Sequence, residues 1–564
     1  MTNKNTYDLR SINLPRMSGW LLRMSTALME SPLTRWLIMP NMLKSAGISN
    51  LRQMHFEDLP TFLPLHRHPP ESVSAPERDG MDVEKWLATV EECSSPFTTI
   101  RDYARAYRAG NSTPEQVAQG VLSAIAESDQ QDPPLRAFIA CLEDDVLAQA
   151  RESTRRFMKG APLSPLDGVP IAIKDEVDMI PYPTTVGTKF LLPSPASKDA
   201  TAVARLRAAG ALLIGKSNMH EIGLGTTGLN IHHGTVRNPY DPGRHSGGSS
   251  SGSAATVATG LCPAALGADG GGSIRVPSAF CGLVGLKPTY GRVSEAGAFP
   301  IAPSLGHLGP ITTTAVDAAL VYAIIAGIDA EETNTFSQPP ISLPHLDGDF
   351  LSDLTLGIYH AWFNHAAPEV VRVCESLLQR FEQAGINIKE VHIPELEAMR
   401  LAHLVIIATE AAAALEYHYP EHRKDLSLEM RANLAMAYSL NAQDYQKAQH
   451  IRTRAIQHFK QALAGVDAIL TPVSGIQVPP IRNDALKDGE ADMRALSEML
   501  RFNTPANLCG LPAISFPAGY DSGGLPVGMQ AIAAPWREDV LLQLAFYAEK
   551  LVDRKVPAIH YEIL

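Results

Sequence analysis

An α/β sandwich, with a central mixed, largely parallel sheet covered by helices on both faces, is the fold class this sequence predicts. Two observations carry the prediction. From about Ser95 onward, helical patterns alternate with short apolar runs of strand length, as expected when strands lie side by side and helices pack over them. Composition is that of an ordinary globular protein: 45% hydrophobic and 19% charged over 564 residues, enough chain to bury a large core.

Residues 1–80 differ from the rest. Ser18 to Glu30 carries Trp20, Leu21, Leu22, Met24, Leu28 and Met29. Ser31-Pro32 then reads as an N-cap followed by Pro at the first helical position. A second apolar segment holds Leu33, Trp36, Leu37, Ile38, Met39, Met42 and Leu43, with Arg16, Arg23, Arg35 and Lys44 interspersed. Two short apolar helices studded with cations suit a cap lying on a membrane surface, and equally suit helices packed on a catalytic core. Residues 57–78 are rich in Pro and read as an extended strap. Ala202 to Ala209 reads as a helix stopped at Gly210 and followed by a buried strand, Ala211 to Ile214. Val370 to Ala384 is an amphipathic helix ending at Gly385, with strand alternation over Ile386 to Val391. Val466 to Leu470 and Ala513 to Phe516 are further short strands, and Thr333 to Pro344 a Pro-rich surface loop. The division expected is a cap and strap over 1–80 and a catalytic domain over 95–564.

The net charge of −12, with no basic block, argues against nucleic acid as a partner. Cys93, Cys141, Cys262, Cys281, Cys374 and Cys509 are scattered, without metal-ligand spacing, and read as small buried side chains in a reducing compartment. His66 and His68 read as exposed loop residues. Neither metal nor cofactor is expected. The polar start, which includes Asp8, gives no sign of a signal peptide, and no run reaches the ~18 apolar residues of a membrane span. A cytoplasmic or peripheral-membrane location follows as the expectation.

Residues 238–293 are the informative region. Gly247 to Ser253 and Gly267 to Ser273 are Gly- and Ser-rich, interleaved with the apolar stretches Ala254 to Leu261 and Pro263 to Leu266. A flexible linker would not alternate in that way. Closely spaced glycines let successive backbone N–H groups converge on one anion. Gly270, Gly271, Gly272 and Ser273 are therefore candidates for an oxyanion hole, with Ser273 the nucleophile inside it. No His is evidently placed as its base. Lys174, at the end of the apolar run Gly168 to Ile173, is the alternative, since burial favours the neutral amine and pulls its pKa below about 10.4. Taken alone, Lys174 reads equally as an ion pair with Asp175.

Two motif matches point elsewhere. Gly210 to Ser217 fits G-x-x-x-x-G-K-[ST], yet its middle residues are themselves strand-like, where a phosphate loop needs an open nest. Gly248 to Gly252 fits the G-x-S-x-G elbow, which would make Ser250 the nucleophile. That elbow requires a strand leading into it, and Asn238 to Arg244 looks turn-rich.

These same residues resemble the amidase signature family. The likeness runs from Gly247 through Arg292, including Gly271 to Pro277 and Cys281 to Thr289, with the upstream lysine motif at Gly168 to Asp175 and C-terminal strands at Ala468 to Pro472 and Gly510 to Ser515. It covers about residue 95 to the end. The resemblance implies the amidase signature fold and a Ser–cis-Ser–Lys triad. Ser273 would be the nucleophile, Ser249 the bridge after a cis Gly248–Ser249 peptide, and Lys174 the base. Two departures stand out: Ala268, where the family usually has Thr or Ser, and Gly270, where it often has Thr or Ile. Losing a hydroxyl at Ala268 removes a hydrogen bond to the serine loop.

Within the family the chain is most similar to plant-type fatty acid amide hydrolases, through Asn218 to Glu221, Gly225 to Gly228, the triple glycine, Pro557 to Ile559 and Leu14 to Gly19. That likeness implies hydrolysis of fatty acid amides such as N-acylethanolamines through an acyl-enzyme. It also implies a homodimer, peripheral membrane contact through the N-terminal helices, and Thr226 beside the route to the scissile amide. The alternatives are a broad-specificity aryl or aliphatic amidase and a glutaminase-type amidotransferase subunit, the latter disfavoured by the apolar cap.

Overall fold

The computed structural model describes residues 7–12, 14–66, 83–91, 95–344, 346 and 354–564. Its frame is one sheet of eleven strands: β1 (Phe138–Ala140), β2 (Pro170–Lys174), β3 (Leu212–Ser217), β4 (Ala264–Ala268), β5 (Val284–Lys287), β6 (Leu308–Thr312), β7 (Thr355–Ile358), β8 (Asn387–Glu390), β9 (Ala468–Pro472), β10 (Ala513–Tyr520) and β11 (Pro526–Ala533). Their spatial order is β8-β7-β9-β11-β10-β5-β6-β4-β2-β3-β1. The interior strands are mostly apolar because helices cover both faces, which leaves no wet side to reward alternation. Strands β2, β3, β4, β5 and β9 are accordingly buried at every residue.

The sheet is mixed, as expected, but less parallel than the sequence suggests. Four of the ten pairings are parallel (β7–β8, β7–β9, β2–β3 and β2–β4) and six antiparallel. Three parallel strands thus lie towards each edge, around an antiparallel centre. The expected helices and strands are all present with shifted ends: Thr201–Ala208, Leu212–Ser217, Pro368–Gln383, Asn387–Glu390, Ala468–Pro472 and Ala513–Tyr520. The last is longer than expected because it pairs along its length with β11.

The N-terminal segment forms α1 (Gly19–Glu30), α2 (Arg35–Ser45) and α3 (Ile48–Gln53). The N-cap expected at Ser31 is not one. Its backbone N–H closes α1 on Ala27 O at 3.1 Å, its hydroxyl accepts from Leu33 N–H, and α2 begins only at Arg35, after Thr34. Residues 32–34 form a turn, not a first helical turn, so the hydroxyl closes that turn. Met29, Met39 and Leu43 share one core with Val405, Leu434 and Ile451, and Leu22 is fully buried. Thr26 donates to Leu428 O, and Arg431 pairs with Glu30 at 2.6 Å. The opposite side is bare: Trp20 is 74% exposed, Leu33 82% and Trp36 68%. Residues 57–66 run without helix or strand along the Ala442–Ala462 helix, tied by Thr61 N–H to Gln449 O, and the strap expected beyond residue 66 lies outside the described residues. Thr333–Ser337 of the predicted surface loop is a short 3-10 turn. No helix among the described residues is long and apolar enough to cross a membrane.

Candidate active site

Parallel pairing of β2 with β4 places their carboxyl ends side by side, and it is there that ligands meet open sheets. Lys174 ends β2 and is 1% exposed. Beside it, the chain passes through a cis Gly248–Ser249 peptide into the helix Ser251–Ala258. Past Ala268, the end of β4, a tight loop carries Ser273 to the helix Arg275–Phe280. The two Gly/Ser segments are thus loops clamped between regular elements, and their apolar neighbours are that helix and strand.

Lys174 Nζ donates to Ser249 Oγ at 2.9 Å and to Ala268 O at 3.3 Å. Its ionic partner is Glu176, at 2.6 Å, and not Asp175 as the sequence suggests. The strand ends at Lys174, and a turn over Asp175 and Glu176, closed by Val177 N–H on Lys174 O at 3.1 Å, brings the Glu176 carboxylate to the amine. Asp175 instead faces the buried Lys216 at 3.6 Å and accepts from Thr185 and Gly187. Ser250 N–H donates to Ser273 O at 3.3 Å, locking the two serine loops together. The Ala268 carbonyl accepts from both Lys174 Nζ and Ser250 Oγ.

Asp269 holds the nucleophile loop. It accepts from Gly272 N–H at 2.7 Å, Ile274 N–H at 3.1 Å and the Arg275 guanidinium at 2.9 Å. Burial opposes its charge, but Arg275, seconded by Lys287 and Asn507, outweighs burial and holds the carboxyl far below the usual range. Arg275 donates in turn to Gln530 Oε1, Asn507 Oδ1 and Asn503 O. His403 Nε2 meets Gly270 O at 2.8 Å, and burial pushes its pKa down to about 4. Since the carbonyl can only accept, the neutral ring carries its proton on Nε2. A side chain on Gly271 would run into that ring, its Cβ only 2.8 Å from it.

Lys174, Ser249 and Ser273 line one cavity of about 410 Å³, together with Gly270, Gly271 and Thr226. The fourth expected donor differs. Gly272 N–H is committed to Asp269 and Gly272 is not on the cavity wall, which leaves the N–H groups of Gly270, Gly271 and Ser273. Thr226 is 4% exposed and its hydroxyl has no hydrogen-bond partner among the described residues. Away from the serines the wall is apolar, with Phe299, Ile301, Leu404, Ile407, Leu434, Met436, Leu496 and Leu500. Such a site can pass a proton between a serine and Lys174 while donors face an adjacent oxyanion, beside a chamber for a long apolar group.

Glu176, Asp269, His403 and Glu295 were not singled out from sequence. Only the position of Glu176, two residues beyond Lys174, offered a signal. The two other motif matches are structural. Lys216 is fully buried in β3 and donates to Val177 O, closed to any phosphate. Ser250 bonds Ala268 O from inside the core. The stretch before it is not merely turns, for Arg237–Asn238 and Asp241–His245 form a short hairpin, but no strand runs straight into Ser250. His66 is not exposed: it bonds Cys509 O at 2.8 Å and burial lowers its pKa. His68 and Cys93 lie outside the described residues. Cys262, Cys281, Cys374 and Cys509 are buried and Cys141 half-buried, all as free thiols. Among the described residues no cluster of His, Cys, Asp or Glu is arranged to hold a metal ion.

Residues 119–542 match the family described as Amidase. A fatty acid amide hydrolase of Medicago truncatula is 41% identical, covering 99% of this chain and 96% of its own length. A fatty acid amide hydrolase of Arabidopsis thaliana is 39% identical over the same shares. Among solved structures, an amidase crystal structure superposes with a TM-score of 0.72 at 32% identity, covering 81% of this chain and all of the other.

Proposed function

The chain belongs to the amidase signature family and is an amidase, an enzyme that hydrolyses amide bonds; on that premise we propose that it cleaves fatty acid amides such as N-acylethanolamines by a Lys174–Ser249–Ser273 relay. The observation that carries the relay is the 2.9 Å hydrogen bond between Lys174 Nζ and Ser249 Oγ, in a cavity that Ser273 also lines. Lys174 draws the proton of Ser273 through the Ser249 hydroxyl. Ser273 Oγ then attacks the amide carbonyl, and the N–H groups of Gly270, Gly271 and Ser273 take the oxyanion. Collapse breaks the C–N bond as the proton returns to the departing amine. Water, activated by the same relay, releases the acid from the acyl-enzyme.

The apolar chamber supports a long acyl chain, and the full-length likeness to plant enzymes named for fatty acid amides supports the same substrate class. Trp20 and Met24 on α1, Leu33 in the turn after it, and Trp36 and Leu37 on α2, all exposed beside Arg23 and Arg35, support contact with a bilayer surface from which such a substrate is drawn. Homodimeric assembly is carried over from the resemblance alone, and sedimentation of the purified chain checks it. To test the reaction, N-acylethanolamines of short, medium and long chain are incubated with the protein and free fatty acid is followed by mass spectrometry. Turnover should favour long chains. Ser273→Ala and Lys174→Ala should each lose at least about 10³-fold in kcat. Turnover of short or aromatic amides only would keep the relay and discard the lipid substrate.

A further inference from the structure

The cavity has two unlike ends. One is the apolar chamber; the other, beside the catalytic pair, carries Glu176, Glu295, Glu332 and Asn334. Glu176 is neutralised by Lys174 at 2.6 Å. Glu332 accepts from the Glu295 N–H and from Ser294 Oγ, bonds that fix the carboxylate without neutralising it. The Glu295 carboxyl packs so closely on Gly306 that a Cβ there would lie 2.6 Å from Oε1, and among the described residues it makes neither hydrogen bond nor ion pair. Burial, and then the charges of Glu332, Glu176 and Glu410, push its pKa well above the carboxylate range. The protonated form is favoured there, and a protonated carboxyl can both donate and accept.

Among the described residues no unpaired cation lines the cavity. The cavity's positively charged residues are Lys174, Arg400 and Arg501, and each is already paired, the latter two with Glu397 at 2.6 Å and Glu498 at 2.5 Å. An independent sign of a polar ligand at this end is Thr226, buried on the same wall with an unpartnered hydroxyl. An unsatisfied buried hydroxyl is costly unless a ligand supplies the missing bond.

We infer that Glu295 and Glu332 form the wall of a leaving-group subsite, which admits acyl amides whose amine half is an uncharged hydroxyl compound or a cation and rejects those that end in a carboxylate. This deepens the proposed reaction and rests on it. A hydroxyl-bearing amine half finds a donor and acceptor in Glu295, an acceptor in Glu332 and the Thr226 hydroxyl. A cationic one gains attraction from Glu332. A carboxylate meets like charge with no arginine or lysine free to receive it, and like-charge juxtaposition is a strong means of exclusion.

The test compares three amine halves on one acyl chain: the ethanolamide, the 2-aminoethyl amide and the glycine conjugate, each as hexadecanoyl and as butanoyl amide. The wild-type enzyme is expected to take the first two with kcat/KM at least about 100-fold above the third. Glu332→Gln retains the hydrogen bonds to Ser294 and to the Glu295 N–H while removing charge, so it should narrow that preference at least about tenfold at either chain length. Glu295→Gln leaves the Glu332 carboxylate untouched, so it should leave exclusion of the glycine conjugate in place and raise KM for the ethanolamide. A glycine conjugate cleaved as readily as the ethanolamide by wild type overturns the subsite. So does a preference that Glu332→Gln leaves unmoved. If only butanoyl amides are cleaved and the head-group preference persists among them, the lipid reading fails and the subsite stands.

Discussion

At the scale of single residues, the site owes its shape to buried groups whose charge is set by their surroundings. His403 is a case with a measurable consequence. Its folded pKa of about 4 lies below the ordinary 6.5, so between these values the unfolded chain binds the more protons. Stability contributed by the neutral ring is complete above about pH 6.5 and drains away as pH falls towards 4. The span corresponds to roughly 3 kcal/mol, an order-of-magnitude figure at 1.36 kcal/mol per unit. Replacing it by Gln retains a donor for Gly270 O and removes the titration. Urea midpoints measured from pH 7 to 4.5 should therefore fall more steeply for wild type than for His403→Gln; equal slopes would remove His403 from the account. Little of this was legible beforehand. Lys174, Ser249 and Ser273 stand in motif positions, whereas His403 is one His in an apolar helix, and its partner Gly270 is 133 residues away. The Glu176 pairing and the commitment of Gly272 to Asp269 depend equally on which loops meet, and no local pattern records that.

At the scale of elements, length and apolarity told more. Helices α1 and Pro368–Gln383 fall within two residues of their expected ends, because caps and amphipathic periods are written locally. Strand direction is not, since a continuous apolar run looks the same whether its neighbour runs parallel or antiparallel, and the sheet's antiparallel centre went unforeseen. The cap helices show two faces in one sequence. Leu22, Met29 and Met39 are buried, while Trp20, Leu33 and Trp36 point to solvent. An isolated exposed apolar residue is ordinary, but two tryptophans and two leucines on two short helices and the turn that joins them make a patch. If that patch lies in a bilayer surface, Trp20→Ser with Trp36→Ser should weaken binding to phospholipid vesicles at least about tenfold, since each indole buries roughly 150–250 Å². Hydrolysis of a short, soluble amide should be unchanged, because neither residue touches the cavity. Vesicle binding that survives both substitutions would leave α1 and α2 as packing elements only.

At the scale of the whole molecule, the sheet joins parts of the chain that sequence analysis treated separately. The relay lies at the ends of β2 and β4, but the loop bearing Ser273 is held from the other half. Asp269 orders that loop, Arg275 holds Asp269, and Arg275 rests on Gln530 of β11, 255 residues away. Gln530 is itself fixed by donating to Thr471 Oγ1 and Phe502 O. The geometry at Ser273 is therefore set partly by an amide in the C-terminal strands. Gln530→Leu keeps comparable bulk but leaves a buried guanidinium short of an acceptor, a loss of about 1–3 kcal/mol. The Tm should fall by several degrees, and kcat should drop at least about tenfold with KM little altered, as Arg275 shifts and loosens Asp269. A variant that melts earlier yet turns over at the wild-type rate would make Gln530 a stability residue alone. One that loses kcat and regains it with Gln530→Glu, which restores an acceptor for Arg275, would show that the two halves of the sheet are coupled through this chain of bonds.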